Sequence, residues 1–401
     1  MPEHYTNQHY VPEWYQKRFL APGATQNELH VLALHPRSMT DPSGRRRPLP
    51  QQRRRPIRRC FAEEDLYTLR FGEAVSRHIE SAFFGRIDTS GARAVGWWDS
   101  DSLQQLYDRA LRDLVEFMTA QKLRTPKGLD WLTAQLRNPA PNEVLRAMVD
   151  LRTIYTTVWT ECVWQIADAA DSPTKFIVTD HPVTVYNRAF GPRHARCRGA
   201  NDPDIRLHGS HTVYPLSRER CLILTNLSWA LDPYQRATEM RPNPDFYRDT
   251  YFNFLDVQRG RRLAEDEVRI INFILKSRAY RHIAAGEPEW LYPEEFVSKS
   301  DWADFGDGYL LMPDPRELNE GVEVIMGYDD GTTEAFDAYG RRPWEPGYEG
   351  AVGSARQRPG RHKKFKEEFA RLYGPDLRSR AWKTGRDWPD ADQGGKTSGP
   401  D

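Results

Sequence analysis

The chain has 401 residues, 39 % of them hydrophobic and 12 % aromatic, enough apolar material for a sizeable core and a prior of roughly two or three domains. Lys plus Arg and Asp plus Glu both number 57, so the formal charge is zero and no global field recruits nucleic acid or an anionic membrane. The four cysteines, Cys60, Cys162, Cys197 and Cys221, form no CxxC pair, which argues against a disulfide scaffold or a zinc ribbon.

The start, MPEHYTNQHY, lacks the basic and apolar regions of a secretory leader. No run approaches the roughly 18 apolar residues of a membrane span. The expectation is a cytoplasmic protein with no membrane partner.

The first patterned stretch is NQHYVPEWYQKRFL, residues 7–20. Pro12 fixes its own φ and biases Val11 to an extended conformation. Tyr10, Trp14, Tyr15 and Phe19 can bury large areas on the turn that follows. His9 therefore stands beside a rigid, aromatic-anchored corner. ELHVLAL (28–34) reads as a strand. The Pro- and Arg-rich stretch after it cannot be a helix interior. Residues 45–59 hold eight arginines and no acid, and the expectation is a solvated loop between two strands. CFAEEDLYTL reads as a strand or extended turn, and EAVSRHIESAFFGRI (73–87) as a helix with Val75, Ile79 and Phe83 on one side.

Two long central helices follow. In SLQQLYDRALRDLVEFMTAQKL, residues Leu103, Leu106, Ala110, Leu114, Phe117 and Gln121 repeat at helical spacing, and Thr125-Pro126 stops the run. The second helix is predicted through NEVLRAMVDLRTIYTTVWTECVWQIADA, with Leu145, Met148, Leu151, Tyr155, Val158, Cys162 and Ile166 on one stripe. KFIVTDHPVTVYN (175–187), TVYPLS and ERCLILTNL then read as strands, and EDEVRIINFILKSRAYRHIAA (265–285) as a closing helix.

The expected fold class is α+β, a helical layer on a mainly antiparallel sheet. The core domain is placed at 1–288. A small β-rich appendage with a hairpin in GVEVIMGYDDGTTEAFDAYG is placed at 289–350, and a disordered basic tail at 351–401. Within the tail, Phe365, Phe369 and Leu372 fall on one helical face.

Five polar residues are candidates for chemistry. His9 can act as ligand or base, or can simply orient the chain. Asp180 ends a strand, where a carboxylate is a metal ligand, a catalytic acid or an Asx-type cap before Pro182. His181 beside it would point to the other face. Glu80 lies near the border of an apolar helix face. Gln121 and Arg124 approach the core from a helix end. Arg124 either neutralises phosphate or forms a structural ion pair with Glu80 or Asp180. Together, His9, Glu80 and Asp180 could hold Mg²⁺ or Mn²⁺, Gln121 could orient a water and Arg124 could offset developing charge. The chain carries no HExxH, P-loop, GxSxG or Rossmann glycine run. Arg278 and His282 sit near the spacing of some helical ribonucleases, one residue short.

The stretches QHYVPEWYQKRF (8–19), EEDLYTLRFGEAVSRHIE (63–80), EFMTAQKLRTP (116–126) and FIVTDHPVTVY (176–186), with YPLS at 214–217 and the helix around Asn272, resemble a bacterial family, domain of unknown function 4238. The resemblance covers roughly residues 7–285. The arginine stretch, the appendage and the tail fall outside its pattern, and it brings no activity with it.

Two functions of different classes follow from the residues. One is a metal-dependent phosphodiesterase or nuclease using His9, Glu80 and Asp180. The other is a non-catalytic module that holds nucleic acid or a protein through the Arg45–Arg59 loop and the exposed tryptophans Trp97, Trp98, Trp290, Trp382 and Trp388.

Overall fold

The structure is a computed structural model that describes residues 7–35, 38–40, 46–67, 84–100, 107–137, 139–160, 162–191, 194–226, 238–239, 257–297, 323–327, 333–337 and 344. In chain order its strands and helices are β1 (Asn7–His9), α1 (Glu13–Gln16), β2 (Glu28–Ala33), β3 (Ser38–Thr40), β4 (Arg46–Pro48), β5 (Gln52–Pro56), β6 (Ala62–Glu64) and α2 (Gly85–Trp98). There follow α3 (Tyr107–Leu123), α4 (Pro126–Leu136), α5 (Pro141–Thr160), β7 (Cys162–Asp168), β8 (Val178–Thr179), β9 (Thr184–Asn187), β10 (Ser210–Pro215) and β11 (Arg220–Asn226). The last are β12 (Gln258–Arg262), α6 (Glu265–Arg278), β13 (His282–Ala285), β14 (Glu323–Gly327) and β15 (Thr333–Asp337). The fold is mixed α and β, as its residue patterns predicted, and its sheets are mainly antiparallel.

One sheet runs β12-β7-β11-β10-β9, in which only the β12–β7 pairing is parallel. The other runs β5-β2-β13-β8, antiparallel throughout. Strand β10 is buried along its whole length, its polar Ser210, His211 and Thr212 included, and β11 is buried along nearly all of its length. Helix α5 packs on α3 and touches β11, and α2 packs on α3. Gly91 makes the α2–α3 approach possible, because a Cβ there would lie 2.5 Å from the Phe117 ring.

The aromatic corner forms as its residues suggested. Tyr15 and Phe19 are fully buried, and Tyr15 stacks on Tyr214 of β10 at 5.5 Å. Tryptophan use differs from expectation. Trp98 is fully buried, donates its indole N–H to Ala110 O at 3.0 Å and packs against Trp164. Trp97 and Trp290 are half-buried and packed against the core, so none of these three is an exposed stacking platform. Trp382 and Trp388 lie outside the described residues.

Four other expectations are corrected. The helix predicted through Ile166 ends at Thr160, and the chain continues as β7, paired with β11 from Asp168↔Arg220 to Cys162↔Asn226. A spacing of four is even, so Cys162 and Ile166 share a face of a strand as readily as of a helix. The closing helix ends at Arg278, and His282 begins β13, so Arg278 and His282 do not share one helix. Thr125-Pro126 stops α3 but also starts α4: the Thr125 hydroxyl accepts the Gly128 N–H at 3.2 Å and Pro126 takes the first helical position. The arginine stretch is not a loop, since β3–β4 form a hairpin and β5 is the edge strand of the four-stranded sheet. Proline and a row of cations are tolerated at a sheet edge, and arginine stems cover apolar surface while their heads stay wet.

The expected C-terminal hairpin is present as β14–β15. Residues 351–401 lie outside the described residues, as do residues 73–83 of the helix expected at 73–87, whose last residues begin α2. Among the described residues, no helix is long and apolar enough to cross a membrane.

Candidate functional site: a buried lysine–histidine–aspartate cluster

Of the expected His9–Glu80–Asp180 set, His9 and Asp180 are among the described residues. Glu80 lies outside them. His9, on β1 opposite Ala62, has its Nε2 3.5 Å from Glu13 Oε1, one helical step along the chain. Asp180 is 2 % exposed and spends both oxygens on the main chain of the α6–β13 turn. Its Oδ1 accepts the Tyr280 N–H at 2.8 Å, and Oδ2 accepts those of Arg281 and His282 at 2.5 and 2.9 Å. Burial pushes the Asp180 carboxyl above its ordinary value, and the three N–H donors pull the other way. A carboxylate so engaged links the end of α6 to the start of β13. No group of three His, Cys, Asp or Glu is placed to hold a metal ion among the described residues.

Gln121 and Arg124 are buried as predicted, but they brace the fold. Gln121 Nε2 donates to Tyr10 O at 2.7 Å, and its Oε1 accepts from Arg124 Nη2 at 2.7 Å. Arg124 pairs with Asp88 of α2 at 2.8 Å and lies over the Phe84 and Phe117 rings. The buried guanidinium does have the carboxylate partner that electrostatics demands; it is Asp88 and not Asp180, and Glu80 lies outside the described residues. The His9 corner and the end of α3 are thus tied by Gln121, at 111 positions of separation.

The residue next to Asp180 opens a different site. His181 faces away from the Asp180 knot, as alternation along an extended chain requires. Its Nδ1 lies 2.7 Å from Thr125 Oγ1. Its Nε2 lies 3.0 Å from Lys122 Nζ and 3.2 Å from Asp202 Oδ2. Lys122 Nζ also donates to Asp202 Oδ2 at 2.7 Å and to Val183 O at 3.2 Å. Lys127, from the first turn of α4, donates to Asp202 Oδ1 at 2.5 Å and to Arg278 O at 2.7 Å. Asp202 is therefore clamped between two ammonium groups.

The sharp α3–α4 corner aims these side chains. Gly128 is required there: a Cβ would lie 2.3 Å from Lys122 O and 2.7 Å from Leu123 O. The corner brings Lys122 from the last turn of α3, Thr125 from the N-cap and Lys127 from the next helix to one point. β8 and the turn after it deliver His181 from the far side of the sequence.

The electrostatics are those of charge held out of water. Burial, reinforced by the Lys122 charge, holds His181 down to about 3, so it is the free base at neutral pH. Burial also lowers Lys122, against the pull of Asp202, with Lys127 and Arg278 adding to the decrease. Burial alone would raise Asp202, but Lys122 and Lys127 outweigh it and hold the carboxyl well below its ordinary value. The Lys122 state and the His181 tautomer are coupled. An ammonium Lys122 donates to Nε2 and leaves the proton on Nδ1, facing Thr125. A neutral Lys122 lets Nε2–H form and point to Asp202.

Lys122, His181 and Asp202 form the polar floor of a cavity of about 310 Å³. Its walls are mainly apolar, with Trp131 from α4, Leu151, Ile154 and Tyr155 from α5, Val185 from β9, and Ile205, while Gln135 and the Asp204–Arg206 ion pair add polar groups. Ile154 is 36 % exposed at the rim. Residue reading missed Lys122, Lys127, Thr125 and Asp202. The signal was present in EFMTAQKLRTP and TDHP, two stretches singled out for other residues.

The fold and the pocket define a mixed α/β protein whose most chemically provisioned site is a buried Lys–His–Asp cluster at the end of an apolar cleft. The chain belongs to the family described as protein of unknown function (DUF4238), whose model matches residues 7–289. That range contains every residue of the cluster and ends before the β14–β15 hairpin. No curated protein and no solved structure matches the chain.

Proposed function

We propose that the cleft binds a small amphipathic molecule, its anionic head against Lys122 and its apolar body against Trp131, Ile154, Tyr155 and Ile205. The observation that carries this reading is a charge imbalance beside a cavity. Three buried cations, Lys122, Lys127 and Arg278, stand with two buried carboxylates, Asp202 and Asp180, among the described residues. An uncompensated buried charge is costly, and an entering carboxylate or phosphate supplies the missing one. The volume lies at the lower end of small-molecule sites, and apolar walls around a few convergent polar groups are their usual composition. The coupled Lys122–His181–Thr125 chain also gives the site a path for moving a proton to or from a bound ligand.

Octanoate and 4-nitrophenyl phosphate serve as first probes, with bis(4-nitrophenyl) phosphate added under Mg²⁺, Mn²⁺ and chelator to test phosphodiester cleavage directly. Calorimetric titration of wild type should detect at least one of the first two, with affinity lowered about tenfold or more in Lys122→Met, the loss expected for one charge-assisted contact. Binding unchanged in both Lys122→Met and Trp131→Ala removes the proposal.

A further inference from the structure

The arginines of β5 build a second, separate site. Pairing places Arg53 opposite Val31 and Arg55 opposite Leu29, while β13 sets His282 opposite Ala33. Successive strand residues face opposite sides, so Arg53 and Arg55 share one face and Arg54 takes the other. Arg54 pairs there with Glu28 at 3.1 Å. Arg53 and Arg55 instead line a cavity of about 400 Å³ together with Arg281, His35 and His282.

Its described lining contains no Asp or Glu and no Phe, Trp or Tyr. Arg281 has its own acids, Glu63 at 2.7 Å and Asp130 at 4.0 Å. Arg53 Nε donates to Pro50 O at 3.2 Å, and among the described residues no ion pair joins it or Arg55 to a carboxylate. Both side chains are half-buried. Arg53 and Arg55 leave the strand about 6.6–6.8 Å apart at the backbone and line a concavity with no counter-charge among its described lining residues.

We propose that this cavity binds a compact anion carrying two or more phosphate groups. Planar forks match phosphate oxygens two at a time, and the imidazoles of His35 and His282 line the same cavity. A nucleic-acid strand is the less suitable occupant, because sequence-tolerant strand binding relies on aromatic platforms that the lining lacks. The site is independent of the Lys122 cleft: the two cavities have no lining residue in common.

Inorganic pyrophosphate is the probe, titrated calorimetrically into the full chain. Wild type should bind it, and Arg53→Gln/Arg55→Gln should weaken binding about a hundredfold, the loss of two charge-assisted contacts. Arg54→Gln on the same strand and Lys122→Met in the other cleft should leave the affinity unchanged. The single variant Arg55→Gln, expected to weaken binding about tenfold, serves if the double variant does not fold. Pyrophosphate affinity equal in wild type and the Arg53/Arg55 variants overturns the proposal. So does a wild type that ignores pyrophosphate, whether or not it binds a single-stranded oligonucleotide.

Discussion

Asp180 and His181 are neighbours in sequence and opposites in use. Asp180 is surrounded by main-chain N–H groups, and every oxygen lone pair it uses holds the α6–β13 turn. His181 is surrounded by side chains that can exchange protons, and it borders a cavity. Burial alone does not separate them, since each is 2 % exposed. What separates them is the kind of partner. A polar side chain satisfied by main chain has one arrangement available, whereas one satisfied by other titratable side chains has several, linked by proton shifts. The first is a fastener and the second is capable of chemistry.

The comparison breaks most severely at Asp180. Asp180→Ala leaves three half-buried N–H groups without their acceptor, and at about 1 kcal/mol for each the loss should approach roughly 3 kcal/mol. Urea unfolding should show this, and octanoate binding per folded molecule should be unchanged. A stable Asp180→Ala protein with impaired binding would reverse the roles of the two residues.

Asp202→Ala is next. It leaves two buried ammonium groups facing one another, and removing one member of a buried ion cluster costs about 3–5 kcal/mol. Asp202→Asn keeps the shape and should lose less. Lys122→Met, by contrast, replaces an ammonium with an apolar chain of similar length. It should cost about 1–3 kcal/mol, from the acceptors it strands, while abolishing the proposed anion contact.

Acid tests the histidine. With its folded-state value held down to about 3, His181 stays neutral while the unfolded chain takes up a proton below the ordinary 6.5. Stability conferred by neutral His181 is therefore full above 6.5 and falls as pH drops toward 3. Buried His211 behaves alike, lowered to about 4 by burial. Together they give a slope approaching two protons, about 2.7 kcal/mol per pH unit, between roughly pH 5.5 and 4.5. His181→Asn should halve it. An unaltered slope would mean that His181 titrates normally and that the site is open to water.

Much of the frame was legible, and for identifiable reasons. Strands β2, β10 and β11, the buried stripe of α3 and the aromatic corner follow from spacing and apolar content. The boundaries at Thr160 and Arg278 were not, because what ends those helices lies far away in sequence: β11 pairs with β7, and Asp180 captures residues 280–282. The site was half legible. Both stretches that form it drew attention, but Gln121, Arg124 and Asp180 were favoured over Lys122 and His181. Which side of a helix end or strand end reaches a cavity depends on the corner made by Thr125, Pro126 and Gly128, and composition does not reveal that corner. Asp202 sits in a loop with no pattern of its own, and only the fold places it between two lysines.

The smallest expected effect concerns the edge strand, where the same contrast of partners recurs in open solvent. Arg54 and Glu28 form an exposed pair, its arginine side chain 59 % accessible. Such a pair contributes at most about 0.5–1 kcal/mol and is screened by salt. Arg54→Ala should therefore shift the thermal midpoint by a few degrees at most at low salt, and by nothing measurable at high salt. Arg53 and Arg55 have no such acid among the described residues, and mutual repulsion across one strand step should make the Arg53→Gln/Arg55→Gln protein as stable as wild type or slightly more so in the absence of anions. Adding pyrophosphate should reverse that order, because a ligand that binds only the folded wild type raises its midpoint by mass action. A double variant that is less stable than wild type without any anion would mean that the two guanidinium groups hold the sheet edge together, and the likeness to the His181 side of the comparison would fail.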